Sequence, residues 1–385
     1  VTATLTSTGL VFTADRTAFA SAVTWAAKRV SSRPTIPAHG GILLTVADSV
    51  LTVAGYNENA SATATVDVEG SDGKVLVSGR LLADLMGTLP DKPVQATVEG
   101  NSLAITCGRA KVTLPLMIAE DFVTIPALPP TVGEVDASAL ARAVKLVGVS
   151  CDVTGEKGVP SLAGINLKFG DLLTVEASDR YRAAYIDIPW QPHATDAVSA
   201  LPHGGEFLAV AADLAHDGSV TIGCTDTLLG LSTATRSVVV RQIGEPFHPN
   251  LRGIFPERSR TPARVAVADL KPVLDRVRLM TAAKDFPSVT LTFAEGVVQV
   301  CGSGQDASTA EEIACAYDGP PTKVAMSVRY LLAALTAEAG TEVVLTFAAT
   351  RGAPFVLDSA AVLDNDEESP KPTHRQLIAS MRPGS

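Results

Sequence analysis

The chain has 385 residues, 46% of them apolar and 19% charged, with a formal net charge of −10. This excludes a disordered chain and provides apolar residues for two or three cores, while no apolar run reaches the ~18 residues of a membrane span. The amino terminus lacks the order of a secretion signal, and five cysteines without a CxxC pair predict reduced thiols, no zinc site and a cytoplasmic location.

The first strong pattern predicts a helix over Thr13–Val30. Phe19, Val23, Ala26 and Val30 form an apolar stripe, and Thr17, Ser21, Thr24 and Lys28 form a polar face. Asp15 or Thr13 can cap its start, and Lys28 and Arg29 suit the negative end of its dipole. The prolines of Arg33-Pro-Thr-Ile-Pro37 end it. A hairpin follows, Ile42–Val46 into Val50–Gly55 around Asp48-Ser49, then a short strand, Val75–Val77. Ser78 can cap a helix over Arg80–Leu89, and strands are expected at Val94–Val98, Ser102–Cys107 and Lys111–Leu116. Ala127-Leu-Pro-Pro130 reads as a linker.

The order restarts at Val135. A helix is predicted over Asp136–Val149, burying Leu140, Val144 and Val147 and exposing Ser138, Arg142 and Lys145. Next come a hairpin, Gly164–Phe169 into Leu172–Ala177, a helix near Gly205–Ala215, and strands Ser219–Gly223 and Leu228–Thr233. It restarts again near Arg264 with a helix over Asp269–Met280, whose first turn holds Pro272. The hairpin Val289–Phe293 into Val297–Cys301, a helix over Val328–Ala337 and strands Glu342–Phe347, Phe355–Asp358 and Arg375–Ala379 complete it, with Asp364–Glu368 as an acidic loop.

Phe19, Leu140 and Leu270 thus occupy equivalent positions about 120–130 residues apart, as do Leu82, Leu208 and Leu331. The expected fold is α+β: three tandem copies of a domain with two helices and about eight strands, at 1–128, 129–257 and 258–385. No phosphate-binding glycine loop, HExxH or GxSxG motif is present, and the six histidines are scattered, so no catalytic or metal-ligating residue is assigned and no cofactor is expected.

Cations collect on the first helix of each repeat: Arg16, Lys28 and Arg29; Arg142 and Lys145; Lys271, Arg276 and Arg278. A solvated helix face explains one such set easily; three related sets in an acidic chain suggest a basic concave surface. Such a surface would hold phosphates without reading bases.

Several motifs, in order and at family spacing, resemble the bacterial β sliding clamp, the processivity subunit of DNA polymerase III, over essentially the whole chain. They are Arg33-Pro-Thr-Ile-Pro37 with its hairpin, Leu162-Ala-Gly164, Ala177-Ser-Asp-Arg-Tyr-Arg182, His248-Pro-Asn-Leu-Arg-Gly-Ile-Phe-Pro256 and Met381-Arg382. The Asp-Arg-Tyr-Arg form and the Ala/Val-rich composition are similar to actinobacterial members. The resemblance implies a DNA clamp fold, with two chains joined head to tail into a ring of six domains. It further implies a non-catalytic, nucleoid-associated protein that encircles duplex DNA and tethers DNA polymerase III alpha subunit, clamp loader and other partners.

By position, Arg33 and Arg80 match DNA-facing residues of the family. The ring joint would bring Arg109 and Lys111 to Glu311 and Glu312, and Val112 and Leu114 to Leu279 and Met280, with Val112 replacing the family's usual aromatic residue. The pocket for partner peptides would comprise Leu162, Ser178, Arg180, Tyr181, Arg182 and Ala183 from one side. Pro249, Gly253, Ile254, Tyr330, Pro354, Leu377, Ala379 and Arg382 would complete it. The family typically has Leu at Ala183 and Met at Ala379. Without inward collapse, each change forfeits roughly 1–3 kcal/mol of contact with a partner's Leu or Phe. Bulky neighbours such as Tyr181 and Phe255 could instead compensate. Alternatives are a specialised second clamp, for example one insensitive to a peptide antibiotic directed at this pocket, and a DNA-free scaffold.

Overall fold

The computed structural model describes residues 9–193, 197–247, 250–256, 261–283, 285–304, 307–337, 340–347, 354–359 and 374–381. Asp364–Glu368 lies outside the described residues. Six α-helices are found among those described: α1 (Arg16–Ala27), α2 (Gly79–Met86), α3 (Ala137–Gly148), α4 (Gly204–Leu214), α5 (Val267–Met280) and α6 (Val328–Ala337). They pack in successive pairs, α1 on α2, α3 on α4 and α5 on α6.

The repeat is visible in register. In the first helix of each pair the fourth residue is a fully packed anchor: Phe19, Leu140 and Leu270. In the second helices the corresponding anchors are Leu82, Phe207 and Leu331. Phe207 replaces Leu208, which the spacing predicts, because α4 starts at Gly204 and turns Leu208 aside to a half-buried position.

Local chemistry sets the helix starts. Asp15 Oδ1 accepts the Ala18 amide at 2.8 Å, and Asp136 Oδ1 accepts the Ala139 amide at 2.8 Å. Ser78 Oγ is a longer cap, 3.5 Å from the Leu81 amide. Helix α5 begins at Val267, two residues before the expected start and without a side-chain cap. Pro272 therefore sits in the second turn, where it cannot donate to the carbonyl of Ala268.

The chain divides into two compact units. One comprises residues through Val132 together with Ser219–Arg241; the other comprises Gly133–Gly218 and residues from Gln242 onward. In the first, Val11–Ala14 pairs with Val94–Glu99 on one side and with Ala60–Ser71 on the other, so the sheet returns on itself. The hairpin Gly41–Ala47 into Val50–Tyr56 turns through Asp48 and Ser49, at φ of 50° and 62°, the left-handed pair a two-residue turn demands. Ala60–Ser71 also pairs with Arg236–Arg241, which is why residues from the middle of the chain join this unit.

Helix α1 lies close on Ala60–Ser71 and Val50–Tyr56, and small residues permit the approach. A Cβ on Gly55 would come within 2.1 Å of the Ala26 carbonyl oxygen. Trp25 is buried under the same helix, with Nε1 donating to the Ser237 carbonyl at 3.2 Å.

In the second unit an eight-stranded sheet runs in the order Ser199–Ala200, Asn166–Phe169, Leu173–Ser178, Arg182–Ile188, His374–Ile378, Phe355–Ser359, Glu342–Thr346 and Ala263–Ala266. A four-stranded sheet runs Ser308–Ala314, Val297–Ser303, Ser288–Ala294 and Thr322–Ser327. Between α5, α6 and these strands lies a core that includes Leu270, Leu274, Phe293, Leu331 and Phe355.

Candidate binding surfaces

The cations of the first unit divide by burial. Lys28, Arg33 and Arg80 are exposed, and Arg80 is 92% so, with Asp84 4.0 Å away. Arg29 is only 5% exposed and donates to the Lys28 carbonyl at 3.2 Å, so it leaves the surface set named from sequence. Arg16 likewise turns inward, donating to the Met86 carbonyl at 3.0 Å. Ser21, expected on an open polar face, accepts Arg236 Nη2 at 2.7 Å. The Arg236 guanidinium lies 5.5 Å over the Trp25 ring.

In the second unit Arg142 and Lys145 are exposed on α3. Helices α3, α5 and α6 border a cleft of about 500 Å³ whose rim carries Lys145, Arg278 and Arg329 over Val149, Leu332 and Ala333. Arg278 is 3.3 Å from Asp275, so the cleft keeps a cationic excess.

Two partly unpaired strand edges carry the residues named for the ring joint. Ala110–Met117 pairs along its length with Ser102–Cys107, but on its other side only Leu116 and Met117 are paired. Arg109 and Lys111 are exposed there, and Val112 is half-buried. Leu114, named from sequence as a joint residue, is 5% exposed because it turns into its own sheet. Ser308–Ala314 pairs only with Val297–Ser303. On it Glu311 is held in two bonds by Arg276, at 2.6 and 2.5 Å, which keep the carboxyl below its ordinary pKa. Glu312 is the more exposed acid, and Leu279 and Met280 are 66% and 38% exposed.

The residues named for a peptide pocket gather around one turn. Asp179, 2% exposed, accepts the amides of Tyr181 and Arg182 at 3.0 and 2.7 Å. Its Oδ2 binds Arg182 Nε and Nη2 at 3.0 and 2.7 Å. Ser178 Oγ donates to the Arg182 carbonyl at 2.9 Å, and Arg180 takes a left-handed φ of 76°. So fixed, Arg182 lies 4.3 Å over the Tyr330 ring, and Tyr181 stacks on Tyr330 at 6.4 Å. The Ala379 amide donates to the Tyr181 carbonyl at 2.8 Å.

Tyr181, Tyr330 and Ala379 line a cavity of about 330 Å³ together with Lys157, Phe286 and Met381, none of which was among the residues named for the pocket. Ala183 and Leu377 stand elsewhere. Opposite each other across two strands, they are 1% and 8% exposed in a cluster with Leu251 and Val356 that Phe247 and Phe255 cover. Thus Phe255 does fill space beside Ala183, whereas Tyr181 lines the open cavity. Gly253 and Ile254 are exposed on the short helical turn Leu251–Ile254. Arg252 ties that turn to Asp187 and, at 2.9 Å, to Thr174 Oγ1. Leu162 and Pro354 are half-buried; Pro249 and Arg382 lie outside the described residues.

Nearby, burial pushes the Cys151 thiol up to about 12, with Asp152 and Asp179 adding to the shift. All five cysteines are free. Among the described residues no group of three His, Cys, Asp or Glu could hold a metal, and no helix is long and apolar enough to cross a membrane.

Tandem two-helix domains on extended sheets, with cations on helix faces and a tyrosine-lined cavity, define a protein of the clamp class. Comparison with known proteins carries this to a family. The model of the DNA polymerase III beta subunit N-terminal domain matches residues 10–126, and that of its C-terminal domain matches 252–366. The beta sliding clamp of Micrococcus luteus is 35% identical over 314 residues, 79% of this chain and 98% of that protein. The beta sliding clamp homolog GriR of Streptomyces muensis is 28% identical over 91% of this chain and 94% of its own. A Pseudomonas aeruginosa DnaN sliding clamp, bound to griselimycin, superposes with a TM-score of 0.88 at 22% identity, covering 97% of this chain and 100% of that one. The chain belongs to the bacterial β sliding clamp family.

Proposed function

We propose that this chain, a sliding clamp by family, joins a second copy head to tail into a ring that holds duplex DNA without reading its sequence and tethers a polymerase. What supports the DNA reading most is the exposure of Arg33, Arg80, Lys28, Arg142 and Lys145 on a chain of net charge −10. An acidic body with cations on helix faces favours phosphates in one place and repels them elsewhere. Topological retention needs only weak contacts, so no base-reading side chain is required. The role is non-catalytic.

The joint is read from the two partly unpaired edges. Arg109 and Lys111 on one would face Glu312 on the other, with Val112 against Leu279 and Met280; Glu311 already serves Arg276. Closure of a heterologous contact of this kind gives a ring, and failure of closure a filament. Three domains, at 1–128, 129–257 and 258–385, belong to this reading. Peptides of polymerase, clamp loader and other partners would bind at the Tyr181–Tyr330 cavity.

Replacing Arg33 by Ala tests the DNA contact: retention should weaken and its salt dependence flatten, equally on all sequences. A loss confined to one sequence would contradict it. The small Ala379 in the open cavity favours a second reading, a specialised clamp with altered response to a pocket-directed peptide antibiotic. A P. aeruginosa sliding clamp of the same fold has been solved bound to griselimycin. Equal affinity of a pocket-directed peptide antibiotic for this protein and for an ordinary clamp would sink this second reading.

A further inference from the structure

Building on the ring reading, we propose that Arg276 is the positioning residue of the joint. By clasping Glu311 within its own chain, it presents the exposed end of α5 and the edge strand Ser308–Ala314 to a second copy as one preformed surface. Arg276 Nε and Nη2 donate to Glu311 Oε1 and Oε2 at 2.6 and 2.5 Å, the two-pronged match of a guanidinium with a carboxylate. Thr309, on the same face of the strand, donates Oγ1 to Glu311 Oε1 at 3.5 Å. Arg276 precedes Leu279 and Met280 by three and four residues, so helical spacing puts all three on one side of α5. Leu279 and Met280 are 66% and 38% exposed there, while Val273, Leu274 and Val277 are buried.

Close packing seats the base of the same helix end. A Cβ on Gly302 would come within 2.5 Å of Val277 Cγ1, and one on Gly304 within 2.1 Å of the Met280 carbonyl oxygen. Thr281, fully buried, donates Oγ1 to the Val277 carbonyl at 2.8 Å. Arg276 secures the rim, a role the other cations of α5 do not share. Arg278 is 3.3 Å from Asp275 of its own helix, and Lys271 lies more than a turn earlier. Glu312 faces the other side of the strand, where its contact is the neutral Gln299 amide at 3.4 Å. That contact leaves its charge for Arg109 and Lys111 of a second copy. An exposed ion pair adds little to fold stability, but a surface ordered before contact saves the cost of ordering it on association. If Glu311 itself bound the second copy's cations, Arg276 would compete with the joint, so the sign of its replacement decides.

The test uses the full chain, with the dimer dissociation constant from sedimentation velocity and urea unfolding measured below that constant. Arg276→Met should weaken the dimer about tenfold with its urea midpoint unchanged. Glu311→Gln should weaken it equally, and the double variant no further, because one clasp is lost only once. The exchanged pair R276E/E311R should recover most of the affinity. Any of four results overturns the proposal: a dimer unchanged or tightened by Arg276→Met, additive losses in the double variant, no recovery in the exchanged pair, or weakening matched by a fall in the urea midpoint. A wild type that stays monomeric at every concentration overturns the ring reading itself, and the positioning role with it.

Discussion

Asp179 and Arg182 form a bidentate pair three residues apart, and that pair aims the Arg182 guanidinium at the face of Tyr330. Both sit on the turn that carries Tyr181 into the cavity, so one buried carboxylate organises two pocket residues. Asp179→Asn should leave a part-buried guanidinium poorly compensated and lower stability by about 3 kcal/mol. Urea denaturation measures this. Peptide affinity should fall in the same variant under conditions where it remains folded.

Ala183 and Ala379, both named for the pocket, sit in different surroundings, and enlarging them should have opposite effects. Ala183 is 1% exposed beneath Phe247 and Phe255, so Ala183→Leu should overpack and cost about 1–3 kcal/mol of stability. Ala379 is half-buried at an open cavity, so Ala379→Met should leave stability unchanged and tighten an apolar peptide about tenfold. Paired denaturation and binding curves distinguish the two.

Asp136 caps α3 and is held below its ordinary pKa by the Ser138 hydroxyl first and the Ala139 amide next. A depressed carboxyl stabilises the fold above its unfolded pKa, and that contribution disappears as pH falls through the folded value. Asp136→Ala should cost about 1 kcal/mol at neutral pH. The difference from wild type should shrink below pH ~4, where the unfolded carboxyl is protonated. A difference independent of pH would contradict the cap.

The thiols should differ in reactivity. Cys151 is buried and pushed up to about 12, whereas Cys301 is half-buried on a strand. Iodoacetamide followed by peptide mapping should modify Cys301 before Cys151, because the thiolate is the attacking species. Early modification of Cys151 would contradict the packing of that region.

The sequence made the helices legible because their apolar period and caps are local. Phe19, Leu140 and Leu270 fall on the fourth residue of α1, α3 and α5. Ala60–Ser71 carries little local strand signal at its start, where the buried alternate positions are Ala60, Ala62 and Ala64 before Val66 and Val68 continue the same face. Burial of Arg29 and the Arg236–Ser21 bond depend on partners distant in the chain, which a helical wheel does not contain. At the candidate site the Asp-Arg-Tyr-Arg motif forms the turn that carries Tyr181 to the cavity, but Lys157, Phe286 and Met381 come from other segments and meet only in the fold.

A closed ring holds DNA by topology, so the most direct measurement is retention on DNA of different topology. After loading by clamp loader, the protein should remain on a nicked circle through gel filtration. It should be lost when a single cut makes that circle linear, because a sliding ring then runs off an end. Release at equal rates from circular and linear DNA would contradict the account.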